Sequence, residues 1–219
     1  MIRIAEVLPD RPSPLWKMVK QCGVDQVVGS FNYQKDPSAL DPDQRPWSYT
    51  NLVRMKTAFN DGGFDLDVIE SRPPLNKAKL GLSDRDEEIE YACELVRNMG
   101  KLGISVWCHE WMPVLNWTRT STAAPGRGGA LVTGYDNELM KDAPLTGAGV
   151  VSEQQLWDNL KYYLEKVVPV AEESGVKLAM HPDDPPVSPI RGMGRIMRSI
   201  DNYQTVSYTH LRAHETTNY

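Results

Sequence analysis

No stretch of the 219-residue sequence approaches the roughly 18 consecutive apolar residues that a membrane-spanning helix needs. Arg3, Glu6, Pro9 and Asp10 arrive too early for the apolar centre of a secretory signal, so no membrane partner is expected and the cytoplasm is the default compartment. Positive charge is not in excess. With 24 basic against 29 acidic residues and a net charge of -5, neither nucleic acid nor an anionic membrane surface is expected as a partner. A small positive pocket remains compatible with that balance, so an acidic small molecule stays in range. Cysteine is scarce and odd in number: Cys22, Cys93 and Cys108 lack close paired spacing and predict reduced thiols rather than a disulfide framework. A nucleotide-type phosphate loop is missing as well. Pro125-Gly126-Arg127-Gly128-Gly129 lacks the G-x-x-x-x-G-K-[ST] order and does not directly open a helix. Residues 124–134 read instead as part of a mobile lid that excludes water once substrate binds.

What is present is the composition of a globular domain, 41% hydrophobic and 24% charged, enough for one sizeable core. A unit of strand, loop, helix and glycine turn repeats along it. Strands are predicted at 2–8, 26–29, 64–70, 104–110 and 176–180, and helices at 15–21, 49–60, 83–102, 152–174 and 194–200. Ser83 reads as an N-cap with Asp86 at N3, and Pro169 predicts a kink or a division of its helix. The helix-to-strand junctions are tight, at Cys22-Gly23-Val24, Asp61-Gly62-Gly63, Lys101-Leu102-Gly103 and Ser174-Gly175-Val176. The segments after the strands vary in length and carry the unusual residues; the longest, 111–149, exceeds the about 15 residues typical of a structureless connection. That asymmetry is the mark of a (β/α)8 barrel, whose active-site loops follow the carboxyl ends of the strands. A doubly wound sheet shares the alternation, but no glycine-rich phosphate loop follows the first strand here. A complete barrel takes about 250 residues. The expected fold class is therefore α/β, an incomplete (β/α)8 TIM barrel with about the first five β/α units.

Chemistry-bearing residues gather at the predicted strand ends. Met180-His181-Pro182-Asp183-Asp184-Pro185-Pro186 closes an apolar strand with an imidazole and two carboxylates. His181 can offer a neutral nitrogen to a divalent metal, and Asp183 or Asp184 can hold a supporting hydrogen bond or manage a proton. A plainer reading has the carboxylates capping the next turn. Trp107-Cys108-His109-Glu110 ends the fourth strand; alternation prevents all of these side chains from facing one ion, leaving His109 or Glu110 toward the barrel mouth and Cys108 as a small core residue. In Asn116-Trp117-Thr118-Arg119-Thr120, Asn116 and the threonines suit a polyol, and Arg119 offers a fork that matches a carboxylate. Glu70 and Arg72, after the third strand, are weaker substrate-binding candidates. His210 and His214 share a helical face, but the sequence around them has no core pattern, and they are not read as ligands.

Two segments, Met112-Pro113-Val114 with Asn116-Trp117-Thr118-Arg119-Thr120 and Leu178-Ala179-Met180-His181-Pro182-Asp183-Asp184-Pro185-Pro186, together with their spacing from the first strand, resemble the bacterial mannonate dehydratase family. The resemblance covers about residues 2–202. It implies a hydro-lyase of hexuronate catabolism that dehydrates D-mannonate to 2-dehydro-3-deoxy-D-gluconate with Mn(2+) or Fe(2+). His181 matches the family's first metal-binding histidine; the cysteine, second histidine and aspartate that complete the set come from later strands and have no match here. Asn116 stands where family members usually carry aspartate. On this reading residues 1–202 are the N-terminal part of one catalytic barrel, and 203–219 are a non-native tail resembling translated sequencing adapter. The catalytic candidates are Asp183 and Asp184; the substrate-binding candidates are Glu70, Arg72, His109, Asn116 and Arg119; the metal candidate is His181. The partner is a small sugar acid, and a homo-oligomer of the full-length protein is left open. The chain alone is expected to fold poorly and not to turn over. A metal-dependent sugar isomerase or aldolase on a similar barrel, and a non-catalytic sugar-acid binding module, are the alternatives.

Overall fold

The computed structural model describes residues 2–33 and 36–209; His210, His214 and most of the expected tail lie outside them. Five strands form one parallel sheet: β1 (Ala5–Val7), β2 (Gln26–Gly29), β3 (Asp65–Ile69), β4 (Val106–His109) and β7 (Lys177–Met180), adjacent in that order. Every pairing is between strands consecutive around the sheet, from Ala5 opposite Gln26 to His109 opposite Met180. Sequential parallel order with helical crossovers is what the repeat predicts, and it distinguishes this sheet from a doubly wound one, whose strand order reverses.

The helices between them are α1 (Pro14–Gln21), α2 (Tyr49–Asp61), α3 (Asn76–Leu80), α4 (Arg85–Lys101) and α5 (Glu153–Ser174), with α6 (Ile200–Thr209) after the last strand. The glycine turns have one physical form. After α4, the Ile104 amide donates to the Met99 carbonyl at 3.0 Å and the Gly103 amide to Gly100 at 3.1 Å, with Gly103 at φ 66°. This is the Schellman closure, in which glycine takes the left-handed conformation without a Cβ penalty and the last helical carbonyls find partners. The same pair of bonds ends α1 at Gly23, α2 at Gly63 and α5 at Gly175. The residues that follow three of these turns, Phe64, Ile104 and Val176, are buried, so each turn hands the chain straight back to the core.

Two compact units divide the chain. The first comprises residues 1–75, 86–109 and 166–180 and holds the whole parallel sheet. Its core is apolar and aromatic: Trp16 stacks on Phe59 at 5.0 Å and meets Phe64 edge-on at 5.5 Å, while Leu66, Ile69, Leu95, Met99 and Trp107 are sealed from solvent. At Gly100 a Cβ would lie 2.4 Å from the Ser174 carbonyl oxygen, so only glycine allows α4 and the end of α5 to approach this closely.

The second unit comprises 76–85, 110–165 and 181–219. It contains the antiparallel hairpin of β5 (Ser121–Pro125) and β6 (Leu131–Gly134), so the long connection after β4 has secondary structure of its own, and the glycines expected in a lid form the hairpin turn. Trp111 packs against Tyr163 at 4.9 Å and donates from Nε1 to the Leu156 carbonyl. Short helix α3, hidden in the sequence behind Pro73-Pro74, also ends in a glycine turn, at Gly81.

Three local expectations shift. Helix α4 starts at Arg85 rather than Ser83. Pro169 lies within an unbroken α5, where the loss of one backbone bond is offset by buried Val167 and Ala171 around it. The helix expected at 194–200 does not form: the Gly194 amide donates to the Val151 carbonyl and Met193 pairs with Ile190, committing this backbone to bridges. Helix begins instead at Ile200, where Ser199 Oγ accepts the Asn202 amide. No helix among the described residues is long and apolar enough to cross a membrane.

Candidate functional site

The loops that follow β4 and β7 both lie in the second unit, and buried charge holds them. Lys79 on α3 is completely buried and donates to Glu110 Oε1 at 2.5 Å and to the Met112 carbonyl at 3.3 Å; Glu110, 7% exposed, also accepts the Met112 amide. The pair clamps the start of the 110–120 loop. Two residues on, Leu115 N–H bonds back to the Pro113 carbonyl around Val114 at φ 60°, a strained γ-turn that a β-branched residue rarely adopts. Asn76 Oδ1 accepts the Val114 amide at 3.0 Å and helps to hold the turn.

Arg195 performs the corresponding task from the other loop. It is 1% exposed, and its guanidinium donates to the Asp184 carbonyl at 3.1 Å and to the Leu115 and Asn116 carbonyls at 3.0 Å each, with Met112 sulfur 2.8 Å away. Burial lowers its pKa, opposed by the charges of Asp183 and Glu110. One side chain thus fixes loop 112–116 to loop 181–186.

Adjacent Asp183 and Asp184 have opposite environments. Asp183 is 2% exposed; Oδ2 accepts the Met197 amide at 2.7 Å, and Oδ1 is buried with no hydrogen-bond partner among the described residues. Burial raises its pKa, against the lowering effect of the Met197 amide. Asp184 is partly exposed and receives both arms of the Arg119 fork, Nη1 to Oδ1 at 2.8 Å and Nη2 to Oδ2 at 2.6 Å. The Arg119 hydrogen bonds hold its carboxyl below the usual range. Arg119 also donates from Nε to Thr133 Oγ1 and from Nη1 to the Thr118 carbonyl.

His181 sits 5.8 Å from the Trp117 ring, centroid to centroid. Its Nδ1 is 2.6 Å from the Pro182 carbonyl, which can only accept, so Nδ1 carries a proton, and in the neutral ring the lone pair lies on Nε2. A histidine that binds a metal through Nε2 needs that neutral tautomer. The fit stops there: among the described residues no group of three or more His, Cys, Asp or Glu is gathered to hold a cation.

Asn116, Arg119, His181, Asp183 and Asp184 therefore share the second unit. Glu70, Arg72 and His109 belong to the first. His109 is 3% exposed and stacks on Trp107 at 4.9 Å, the same-face neighbour that strand alternation requires. Glu70 is half-buried, donates its amide to the Gly29 carbonyl and helps burial push the Cys108 thiol up to about 11. Arg72 is half-buried and acts electrostatically on Tyr33. Lys79 and Arg195 escaped the sequence reading, because their partners are main-chain carbonyls and a carboxylate far along the chain.

A sequence profile of the D-mannonate dehydratase (UxuA) family matches residues 11–148 and 145–217. The chain is 32% identical over 215 residues to a mannonate dehydratase of Geobacillus thermodenitrificans, covering 84% of this chain and 56% of that protein. It is 34% identical over 180 residues to one of Streptococcus pneumoniae, covering 71% and 49%. The crystal structure of mannonate dehydratase from Streptococcus suis serotype 2 superposes with a TM-score of 0.78 at 29% identity, over 94% of this chain and 59% of that one. The chain spans about half the length of the curated relatives it matches.

Proposed function

The chain belongs to the D-mannonate dehydratase family, and from that premise we propose that it serves the metal-dependent dehydration of D-mannonate to 2-dehydro-3-deoxy-D-gluconate. The family implies a divalent metal; the cation is Mn(2+) or Fe(2+), and the protein works in the cytoplasm. The observation that carries the reading is a carboxylate-gripping fork, Arg119 on Asp184, in the same unit as an imidazole, His181, whose Nδ1 is engaged by the Pro182 carbonyl so that the neutral ring offers Nε2.

In this reading Arg119 binds the sugar-acid carboxylate bidentately, which fixes the orientation of the chain of hydroxyls. Asn116 offers an exposed amide to those hydroxyls. His181 supplies one metal ligand. The described residues provide no complete donor set for the cation. Asp183 and Asp184 handle protons at the substrate, Asp183 from a buried position that favours the neutral acid and Asp184 as the ionised partner.

Calorimetric titration of the 219-residue chain with D-mannonate tests the assignment. Saturable binding that disappears in Arg119→Ala and is absent with the neutral polyol D-mannitol is expected. Equal binding of both compounds, or preference for an aldose, would overturn it in favour of an isomerase. Incubation of the same chain with D-mannonate and Mn(2+) is expected to give no keto acid, since it presents one prepared ligand.

A further inference from the structure

We propose that Asp184 occupies the place of the substrate carboxylate on Arg119, and that binding of a sugar acid exchanges one carboxylate for the other. The inference rests on the reading above, that Arg119 receives the acid group, and adds the internal competitor.

The donor inventory requires an exchange. A guanidinium has five N–H groups. In Arg119 the Nε proton goes to Thr133 Oγ1, Nη1 serves Asp184 Oδ1 and the Thr118 carbonyl, and Nη2 serves Asp184 Oδ2. At most one N–H is then left over, too few for a second two-point grip. A ligand carboxylate can obtain the parallel pair of bonds only at the Nη1–Nη2 edge that Asp184 holds. Asp184 presents both oxygens there at 2.8 and 2.6 Å, the geometry an incoming acid would adopt.

The surroundings let the side chain leave while the loop stays. The Asp184 amide donates to Met112 sulfur, and its carbonyl accepts from buried Arg195, so the backbone is held on both sides. Only side-chain rotation is needed to release the carboxylate. The two side chains are 27% and 35% exposed, so a dissolved anion reaches the fork without a cavity having to open. Arg119 itself is kept in place during the exchange by Thr133 and the Thr118 carbonyl. With Asp184 in place the Arg119 cation is paired, and only a ligand with a negatively charged two-oxygen group can displace the stand-in.

Affinity is the test, measured by calorimetry with D-mannonate on the wild-type chain, Asp184→Asn, Asp184→Ala and Arg119→Ala. Asparagine keeps the size and one hydrogen bond of aspartate without its charge. Asp184→Asn is expected to tighten D-mannonate binding about ten-fold, and Asp184→Ala at least as much, because the competitor is weakened or gone. Arg119→Ala is expected to abolish binding in either background. Unchanged or weaker binding in Asp184→Asn, with wild-type binding still dependent on Arg119, would overturn the exchange and leave the carboxylate-binding role standing. Binding indifferent to Arg119 would remove both. Acetate supplies the control for recognition by charge alone: its own affinity, titrated without D-mannonate, is expected to be higher in Asp184→Ala than in wild type, and equal acetate affinity in the two counts against the exchange.

Discussion

The two units stabilise loops and strands by different means. In the first, the backbone satisfies itself: five parallel strands share their hydrogen bonds, helices close on glycine turns, and aromatic and aliphatic side chains fill the space between. In the second, much of the chain is loop, and buried charged side chains take the place of neighbouring strands. Lys79 holds Glu110 and the Met112 carbonyl, and Arg195 holds three more carbonyls. The comparison teaches where each kind of interaction is economical. A repeated β/α unit supplies its own donors and acceptors, whereas a loop that presents chemistry leaves carbonyls pointing inward, and a long cationic side chain can reach several at once.

The largest expected effect comes from removing one partner of the buried pair. Lys79→Met leaves the Glu110 carboxylate buried without its cation and is expected to cost about 3–5 kcal/mol in urea unfolding, as much as Phe59→Ala costs in the apolar unit at about 3–5 kcal/mol. Adding Glu110→Gln to Lys79→Met keeps the acceptor for the Met112 amide and removes the stranded charge, so the double variant should be the more stable of the two. If the single and double variants unfold alike, charge pairing is not what holds the second unit.

A smaller effect sharpens the other side of the comparison. Gly103 sits at φ 66°, so Gly103→Ala is expected to cost about 1–2 kcal/mol through left-handed backbone alone. Its thermal midpoint should fall while the near-ultraviolet signal of the tryptophans at 25 °C stays native. A neutral result would mean that the turn relaxes and the glycine repeat is not a structural requirement.

The smallest effect is the pH dependence of the Arg119–Asp184 contact, which is partly exposed and screened. Its folded pKa is depressed below 3.8, so the contribution is fully present above the unfolded value and is lost as the pH falls through the depressed one. Wild type should be more stable than Asp184→Asn at pH 6, with the gap closing in the most acid range. A gap that instead widens with acid would contradict the assigned direction.

How much of this was legible follows the same division. Gly23, Gly63, Gly103 and Gly175 marked the ends of helices from their positions alone, because few other residues take a left-handed turn without penalty. The strands between them were placed to within a few residues. In the loops, candidate residues could be nominated, since His181, Asp184 and Arg119 have chemistry of their own. Their relationships could not be read. Arg119 looked like an open fork and is gripped by Asp184, 65 positions away; Lys79 carried no signal in the sequence and is sealed in the interior.

The sequence by itself determined the β/α repeat, the parallel sheet it implies and the kinship with mannonate dehydratases, because these depend on local conformation and on short runs of residue types. Tertiary structure alone decided which carboxylate is buried, which is paired and which cations hold the loops. Those outcomes depend on desolvation and on distances of about 3 Å between residues far apart in the chain, and no local pattern encodes either.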